Sequence, residues 1–443
     1  MKLHLGDIGG AIVTTSVFSL IPNWHSASAA PTENRSIRDL RPSISKSAGI
    51  TFRVDQIPNQ HFNSTRKGRG AIAKASAYSK YGAPVPQDLR AYIEQTISTV
   101  GTGNKTMVSP QGGVTATPQI SDSEYLCPVQ IGTPPQTLNL DFDTASSDFW
   151  VFSSETPTDQ IDGQTIYDIS QSSTAIPLNG ESWAVNYGDG SSSGGNVYND
   201  IVSIGGIAVP NQAVEAATYV SPSLTWRQNS DGIVGLAFSS LNTVTPNREP
   251  TFFDNALQYL AEPLFTANLR PAAPGNYNFG FINTTEFIGE ITYIPVNTTT
   301  GFWQFTSQGF KIGDSPLTTQ PHDAVADTGT TLLLLPDPIA AAYYAQIPNS
   351  AQGPGGYVFP CEAIPPNYTA VIGPYEAVVP GDSIKFSPVD GDSFDNATTC
   401  FGGIQSAPAD SAFAIYGDLF LKSQFVVFHA GGDVQLGLAR KAP

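Results

Sequence analysis

The strongest constraint on this chain is a repeated pentapeptide. Asp143-Thr144-Ala145-Ser146-Ser147 recurs as Asp327-Thr328-Gly329-Thr330-Thr331, 184 residues later. Each copy follows an alternating run that ends at the acid, Leu140-Asp141-Phe142 in the first and Ala324-Val325-Ala326 in the second. Each is followed at matching distance by two apolar residues and a glycine. Gly235 of Ile233-Val234-Gly235 lies 92 residues beyond the first acid, and Gly417 of Ile415-Tyr416-Gly417 lies 90 beyond the second. One Asp-Thr-Gly carries little information, but two in matched settings imply two copies of one lobe. Aspartates that merely cap turns would leave the duplication without a reason.

The rest of the chain reads as β structure. Charged residues make up 13%, against roughly 25% in ordinary globular chains, while Gly (41) and Pro (35) are plentiful. That profile excludes coiled coils and helical bundles. From about residue 120, short β-type runs recur between turns: Thr137–Phe142, Trp183–Tyr187, Val197–Ile204, Gly289–Val296, Phe302–Ile312 and Phe425–Phe428. Helical candidates in this part are two, Thr251–Leu260 and Pro338–Ile347. The reading is all-β with small helices.

Charge divides the chain unevenly. Residues 1–105 carry a net +7 and residues 106–443 a net −24, within a total of −17. A basic leader on an acidic body suggests two parts held together electrostatically, an attraction that protonating the body's carboxylates would loosen. The alternative is a basic, disordered tail. The acidic body repels phosphate backbones and anionic lipid, so nucleic-acid and membrane roles are not expected. Residues 1–30 read as an export signal: Lys2, a mostly apolar run Ala11–Ile21, and small residues at Ala27-Ser28-Ala29. Within the leader, Gly70–Tyr81 and Asp88–Val100 are helix-compatible, and residues 101–118 read as a Gly/Thr/Ser-rich linker. No later apolar run is long enough to span a bilayer.

Export admits disulfides and glycans. Cys361 and Cys400 lie in a Pro/Gly-rich stretch where they can close a loop, and Cys127 sits in a strand-like run as a buried thiol. Acceptor triplets for N-glycosylation begin at Asn283, Asn297, Asn367 and Asn396.

A pseudo-dyad between two such lobes would bring Asp143 and Asp327 together. Two carboxyl groups about 3 Å apart cannot both ionise, so they hold one proton over an acidic range. The charged member can take a proton from water while the neutral member hydrogen-bonds a carbonyl. That chemistry suits direct attack of water on an amide, with neither metal nor cofactor. Ser146 and Thr330 can hydrogen-bond the outer carboxylate oxygens, and the Thr144 and Thr328 hydroxyls can brace the two loops.

These motifs together resemble the pepsin-like aspartic proteases, of the secreted fungal type, over residues 120–443. Glu124-Tyr125-Leu126 with Ile131-Gly132-Thr133-Pro134-Pro135-Gln136 resembles the family's first strand, Asp143 to Val151 its first active-site loop, and Tyr187-Gly188-Asp189-Gly190-Ser191 its flap hairpin. The resemblance implies a bilobal fold with a cleft between pseudo-twofold lobes, residues 109–295 and 296–443, behind a propeptide at 31–108. It implies Asp143 and Asp327 as the catalytic dyad, a Cys361–Cys400 disulfide, and a flap of Tyr187, Gly188, Asp189 and Ser191 whose tyrosine points toward Trp150. Gly329 continues the second loop. Lys80-Tyr81 resembles the Lys-Tyr pair that family propeptides lay over the dyad. The implied protein is a secreted, extracellular monomer, made as a zymogen with its own propeptide as inhibitor. It cleaves protein and peptide substrates in acid, with broad hydrophobic preference and, through Asp189, tolerance of Lys before the cleaved bond.

Ala145 departs from the family, which has glycine there. Its methyl is expected close to the scissile carbonyl, and a backbone angle reserved for glycine would be strained. Rival readings fare worse. Asp141-Phe142-Asp143-Thr144 suggests a phosphatase motif, but that fold alternates strands and helices. Gly190-Ser191-Ser192-Ser193-Gly194 fits a nucleophile elbow without the helix that must follow. His322 and His429 are the body's histidines, without a zinc-peptidase spacing. The remaining alternative is a catalytically weakened, pepsin-like peptide-binding protein, against which both acids are present.

Overall fold

The computed structural model describes residues 49–57, 68–100, 126–186, 192–225, 230–271, 273–391 and 393–443. The expected export signal, the expected linker and the expected flap residues Tyr187 to Ser191 lie outside these.

The repeat becomes two copies of one strand crossing. Strand Gln136–Asp143 pairs antiparallel with Leu126–Ile131 and parallel with Gly232–Gly235, in the register Asp143 to Gly235. Strand Thr318–Ala326 pairs antiparallel with Gln304–Ile312 and parallel with Ala414–Tyr416, in the register Val325 to Ile415. In each lobe the chain then returns antiparallel to that same apolar segment, as Phe149–Phe152 and as Leu333–Leu335. The two glycines are steric requirements. A Cβ on Gly235 would lie 2.6 Å from the Ser147 backbone, and one on Gly417 would lie 2.2 Å from the Thr330 carbonyl oxygen. The active-site loops can pass this closely only over a residue without a side chain.

Each crossing sits inside a seven-stranded sheet. The first lobe's sheet continues through Ile207–Val220, Ser192–Ile204 and Ile176–Asn186, and the second's through Tyr368–Ile372 and Tyr375–Val379 on one side and Ile404–Ser406 on the other. A four-stranded sheet in the second lobe includes Gly356–Pro360 and Thr399–Gly402. A six-stranded sheet underlies the whole, in the order Phe52–Asp55, Ala273–Phe279, Leu264–Arg270, Gln424–His429, Gln435–Lys441 and Phe287–Pro295. It draws strands from both expected lobe spans. Phe265 stacks on Phe428 at 4.6 Å, with Phe253, Phe279 and Trp303 around it. Among the described residues no helix is long and apolar enough to cross a membrane.

The leader is built into this frame. Helix Arg69–Lys80 stops at Tyr81 because Gly82 takes φ 68°, and the Gly82 and Ala83 amides donate to the Ser79 and Tyr78 carbonyls. That left-handed stop ends the helix one residue short of the sequence expectation. A second helix, Gln87–Val100, follows. Strand Phe52–Asp55, which the sequence reading missed, forms the edge of the six-stranded sheet, pairing Phe52 with Phe279 through Asp55 with Asn276. Phe52 and Val54 alternate into the core, and Phe52 stacks on Phe279 at 4.7 Å.

Three elements of the body differ from the sequence expectation, and one of them is the helix expected over Pro338–Ile347, which spans Asp337–Tyr344. The helix expected over Thr251–Leu260 covers only Phe252–Ala256. Beyond it, the Tyr259 carbonyl accepts from the Ile50 amide and the Ala261 amide donates to Ile50, so leader pairing overrides helix propensity there. Phe302 lies outside the expected strand, because the Asn297 amide donates to Gln304 and closes a loop before the strand begins at Gln304.

We expect Phe52→Ala to destabilise the full-length chain by about 3 kcal/mol, the scale of a buried Phe truncation, read by chemical unfolding. No change would mean the strand is an ornament of the sheet edge.

Candidate active site

The loops that follow the two crossings meet tip to tip and lock. The Thr144 amide donates to Thr328 Oγ1 at 3.0 Å, and the Thr328 amide donates to Thr144 Oγ1 at 3.0 Å. Each hydroxyl then donates to the opposite lobe, Thr144 to the Ala326 carbonyl at 2.8 Å and Thr328 to the Phe142 carbonyl at 2.5 Å. All four groups are buried, where unmade bonds would be costly. This lattice fixes the neighbouring Asp143 and Asp327, whose inner oxygens accept from the Ala145 and Gly329 amides at 2.9 Å each.

The two carboxyls are 3% and 0% exposed and face one ammonium. Lys80 Nζ lies 2.7 Å from Asp143 Oδ1 and 2.7 Å from Asp327 Oδ1. Tyr81 donates its hydroxyl to Asp327 Oδ2 at 2.6 Å, and its ring packs against Phe302 and Phe413 at 5.7 and 5.4 Å. Burial disfavours the Lys80 charge, but the two carboxylates outweigh it and hold the ammonium above its ordinary value. Burial also pushes Asp143 up, yet Lys80, helped by the Ser146 hydroxyl and the Ala145 amide, brings it below its ordinary value. At Asp327, burial together with the Asp143 charge outweighs Lys80 and keeps the carboxyl raised. The pair is therefore electrostatically asymmetric.

Several sequence expectations resolve at this site. Ser146 and Thr330 stand near enough to favour the charged forms of Asp143 and Asp327, but neither hydroxyl reaches hydrogen-bond geometry with a partner among the described residues. Ala145 is not strained. Among the described residues only Asn211 and Asn349 combine a side chain with positive φ, so Ala145 keeps an ordinary backbone angle. Gly329 differs, since a Cβ there would lie 2.5 Å from Asp143 Cγ. Trp150 is buried against Trp183, and its Nε1 has no partner among the described residues. The flap residues Tyr187, Gly188, Asp189 and Ser191 lie outside those residues.

Away from the acids, Cys361 and Cys400 are disulfide-bonded and Cys127 is a buried free thiol. Asn297, Asn367 and Asn396 are exposed, while Asn283 is half-buried and donates to the buried Glu286 at 3.0 Å.

Sequence reasoning missed the aromatic wall of Phe302 and Phe413, which no local motif marks. It also missed a second buried acid pair behind the first loop. Asn242 Nδ2 donates to Asp148 Oδ1 at 3.1 Å and to Glu215 Oε1 at 2.8 Å. Burial pushes Asp148 up to about 6, and burial with the Asp148 charge pushes Glu215 well above its ordinary value.

Two buried aspartates on cross-braced loops at the meeting of duplicated lobes define the aspartyl protease arrangement, and comparison with known proteins agrees. Residues 124–441 match the family described as eukaryotic aspartyl protease. The chain is 48% identical over 396 residues to endothiapepsin of Cryphonectria parasitica, covering 88% of this chain and 90% of that protein. It is 44% identical over 394 residues to aspergillopepsin-1 of Aspergillus fumigatus, covering 88% and 93%. It is 45% identical over 400 residues to penicillopepsin-3 of Penicillium janthinellum, covering 90% and 94%. The chain belongs to the eukaryotic aspartyl protease family and is an aspartic-type endopeptidase with the bilobal pepsin-like fold.

The second acid pair carries a pH signature. A carboxyl whose folded pKa is raised binds its proton more tightly in the folded state. Its stabilisation is full below the unfolded values, about 4, and is lost as pH rises through about 6 for Asp148 and through the raised value of Glu215. We expect the unfolding midpoint to fall as pH rises across this window, and Glu215→Gln to flatten the slope. A wild-type midpoint that climbs with pH would contradict the assignment.

Proposed function

We propose that the protein is a secreted acid endopeptidase made as a zymogen, with Asp143 and Asp327 as its catalytic dyad and the leader as its own inhibitor. The observation that carries this reading is the Lys80 ammonium, 2.7 Å from each carboxylate. A cation in that position favours the charged form of each acid and occupies the point where a reacting water and carbonyl must sit. The layout that follows is a signal over 1–30, a propeptide over 31–108, and lobes over 109–295 and 296–443. Of the glycosylation acceptors, Asn297 is favoured. It is exposed, and its side-chain carbonyl already accepts from Thr299 of its own triplet at 2.7 Å.

With Lys80 withdrawn, two carboxyls desolvated at one point share a proton, and the dyad titrates as a unit. The ionised member takes a proton from water as that water attacks the amide carbon. The protonated member hydrogen-bonds the carbonyl oxygen and stabilises the charge that develops there. The threonine lattice keeps the two acids in place through the step, so little reorganisation is required. The Tyr187 flap closes over the peptide and excludes water. Cleavage favours large apolar side chains, with Lys admitted before the scissile bond by Asp189.

Acid triggers release by the same electrostatics. Asp143 is held below its ordinary value in the latent form. Its contribution to leader binding is present above the ordinary Asp range, about 4, and disappears as pH falls through the depressed value.

Asp143→Asn and Asp327→Asn should each lower hydrolysis of a denatured protein in acid by about 10³-fold, measured on processed enzyme. Lys80→Ala should leave the unprocessed chain active near neutrality, and full latency in that variant would count against the plug. Asp189→Ser should cut turnover of peptides with Lys before the bond more than of those with Phe, and an unchanged ratio would remove that role.

A further inference from the structure

The threonine lattice has a support that neither active-site motif contains. Tyr277 lies on strand Ala273–Phe279 of the six-stranded sheet, with Ala267 on one flank and Val54 of the leader strand on the other. Its hydroxyl donates to the Phe142 carbonyl at 3.3 Å, the same oxygen that accepts from Thr328 Oγ1 at 2.5 Å. Phe142 immediately precedes Asp143, so this carbonyl belongs to the peptide unit that leads into the first acid. A carbonyl oxygen has two acceptor lone pairs, and here two elements supply the donors, the opposite loop and the sheet beneath. The rings of Phe142 and Tyr277 also pack at 5.1 Å, and Tyr277 is 1% exposed. The second lobe is built differently. Ala326 precedes Asp327 as Phe142 precedes Asp143, and among the described residues its carbonyl accepts from one side chain, Thr144 at 2.8 Å.

We infer that Tyr277 is a positioning residue for the reaction: it fixes the Phe142–Asp143 peptide from below, so that the Asp143 carboxyl stays aimed at the point it shares with Asp327. A peptide unit is rigid, and turning it changes ψ of Phe142 and φ of Asp143 together. Thr328 alone would let that plane follow the second loop. A second donor, rooted in the sheet below, restrains it independently. Burial raises the Tyr277 hydroxyl well above its ordinary value, with the Cys127 thiol and the Asp141 and Asp418 carboxylates adding to the effect, so the group stays a donor throughout the acid range. A buried tyrosine that merely satisfied its own hydroxyl would matter to stability and leave the chemical step alone. The oxygen that Tyr277 selects, already served by Thr328 and adjoining Asp143, gives it the further role.

This deepens the endopeptidase reading and rests on Asp143 being a member of the dyad. Tyr277→Phe deletes the hydroxyl and keeps the ring. In processed enzyme acting on an internally quenched peptide in acid, we expect kcat to fall about tenfold, less than the roughly hundredfold that a misplacement of about 1 Å costs. Tyr277 is buried beneath the loops and cannot reach a peptide, so KM should stay within about twofold. The acid limb of the kcat profile should also move to higher pH, because a less well aimed Asp143 accepts the Ala145 amide less well and its charged form loses support. Tyr343→Phe is the control, since it removes a buried hydroxyl that donates to the Pro366 carbonyl at 2.8 Å, outside both active-site loops, and it should keep the wild-type kcat. Thermal unfolding at the assay pH reports that each variant is folded, and Tyr277→Met makes the same deletion with an adaptable side chain should the phenylalanine form not fold. A wild-type kcat in the Tyr277 variant, or an acid limb that does not move, overturns the assignment, and so does an equal fall in Tyr343→Phe. Full activity in Asp143→Asn would instead overturn the dyad reading itself.

Discussion

The reciprocal hydrogen bonds between Thr144 and Thr328 are the interaction on which the rest of the molecule turns. Two lobes with separate sheets need a reason to present their acids at one point within a fraction of an ångström. Four buried hydrogen bonds, each amide paired with the other loop's hydroxyl, supply it. Because both partners are buried, loosening one loop would strand polar groups in the dry interior. The strand crossings beneath the loops, with glycines where the chains nearly touch, carry that rigidity into both sheets. The six-stranded sheet below ties the lobes together from the other side.

The leader meets this frame in three physically different ways. As a strand it adds backbone pairing and the Phe52 and Val54 side chains to the core. As a helix it covers an apolar face of the second lobe. As a plug it places one ammonium between two carboxylates. The plug depends on charge and so answers to pH, whereas the strand's backbone pairing and the helix's apolar packing do not. Arg53, on that strand, pairs with buried Glu286 at 3.2 Å, and the asparagines Asn276, Asn278 and Asn283 donate to the same carboxylate. Basic residues of the leader thus contact acids of the body at separate places, which is the local form of the charge division between the two.

Much of this was legible in the sequence, for definite reasons. The duplicated Asp-Thr loops and the distant apolar-glycine segments were readable because sterics demand a glycine beneath each loop. The leader helix was readable because Gly82 and Pro84 end it locally. What escaped depended on tertiary partners. Phe52–Asp55 is four residues long and is a strand only because Ala273–Phe279 offers an edge. The Asp148 and Glu215 pair is separated by 67 residues, and nothing near either acid announces the other. Phe302 looked like a strand residue by composition and packs against Tyr81 because the loop closed between Asn297 and Gln304 keeps it out of the ladder.

The unequal loops also bear on how such a duplicated molecule can change. At 145 the chain accommodates a methyl in an ordinary backbone conformation, whereas at 329 the same methyl would press on the carboxyl of the opposite lobe. The halves are therefore no longer interchangeable, although they descend the page as near copies. A side chain is accommodated on one side of the dyad and excluded on the other.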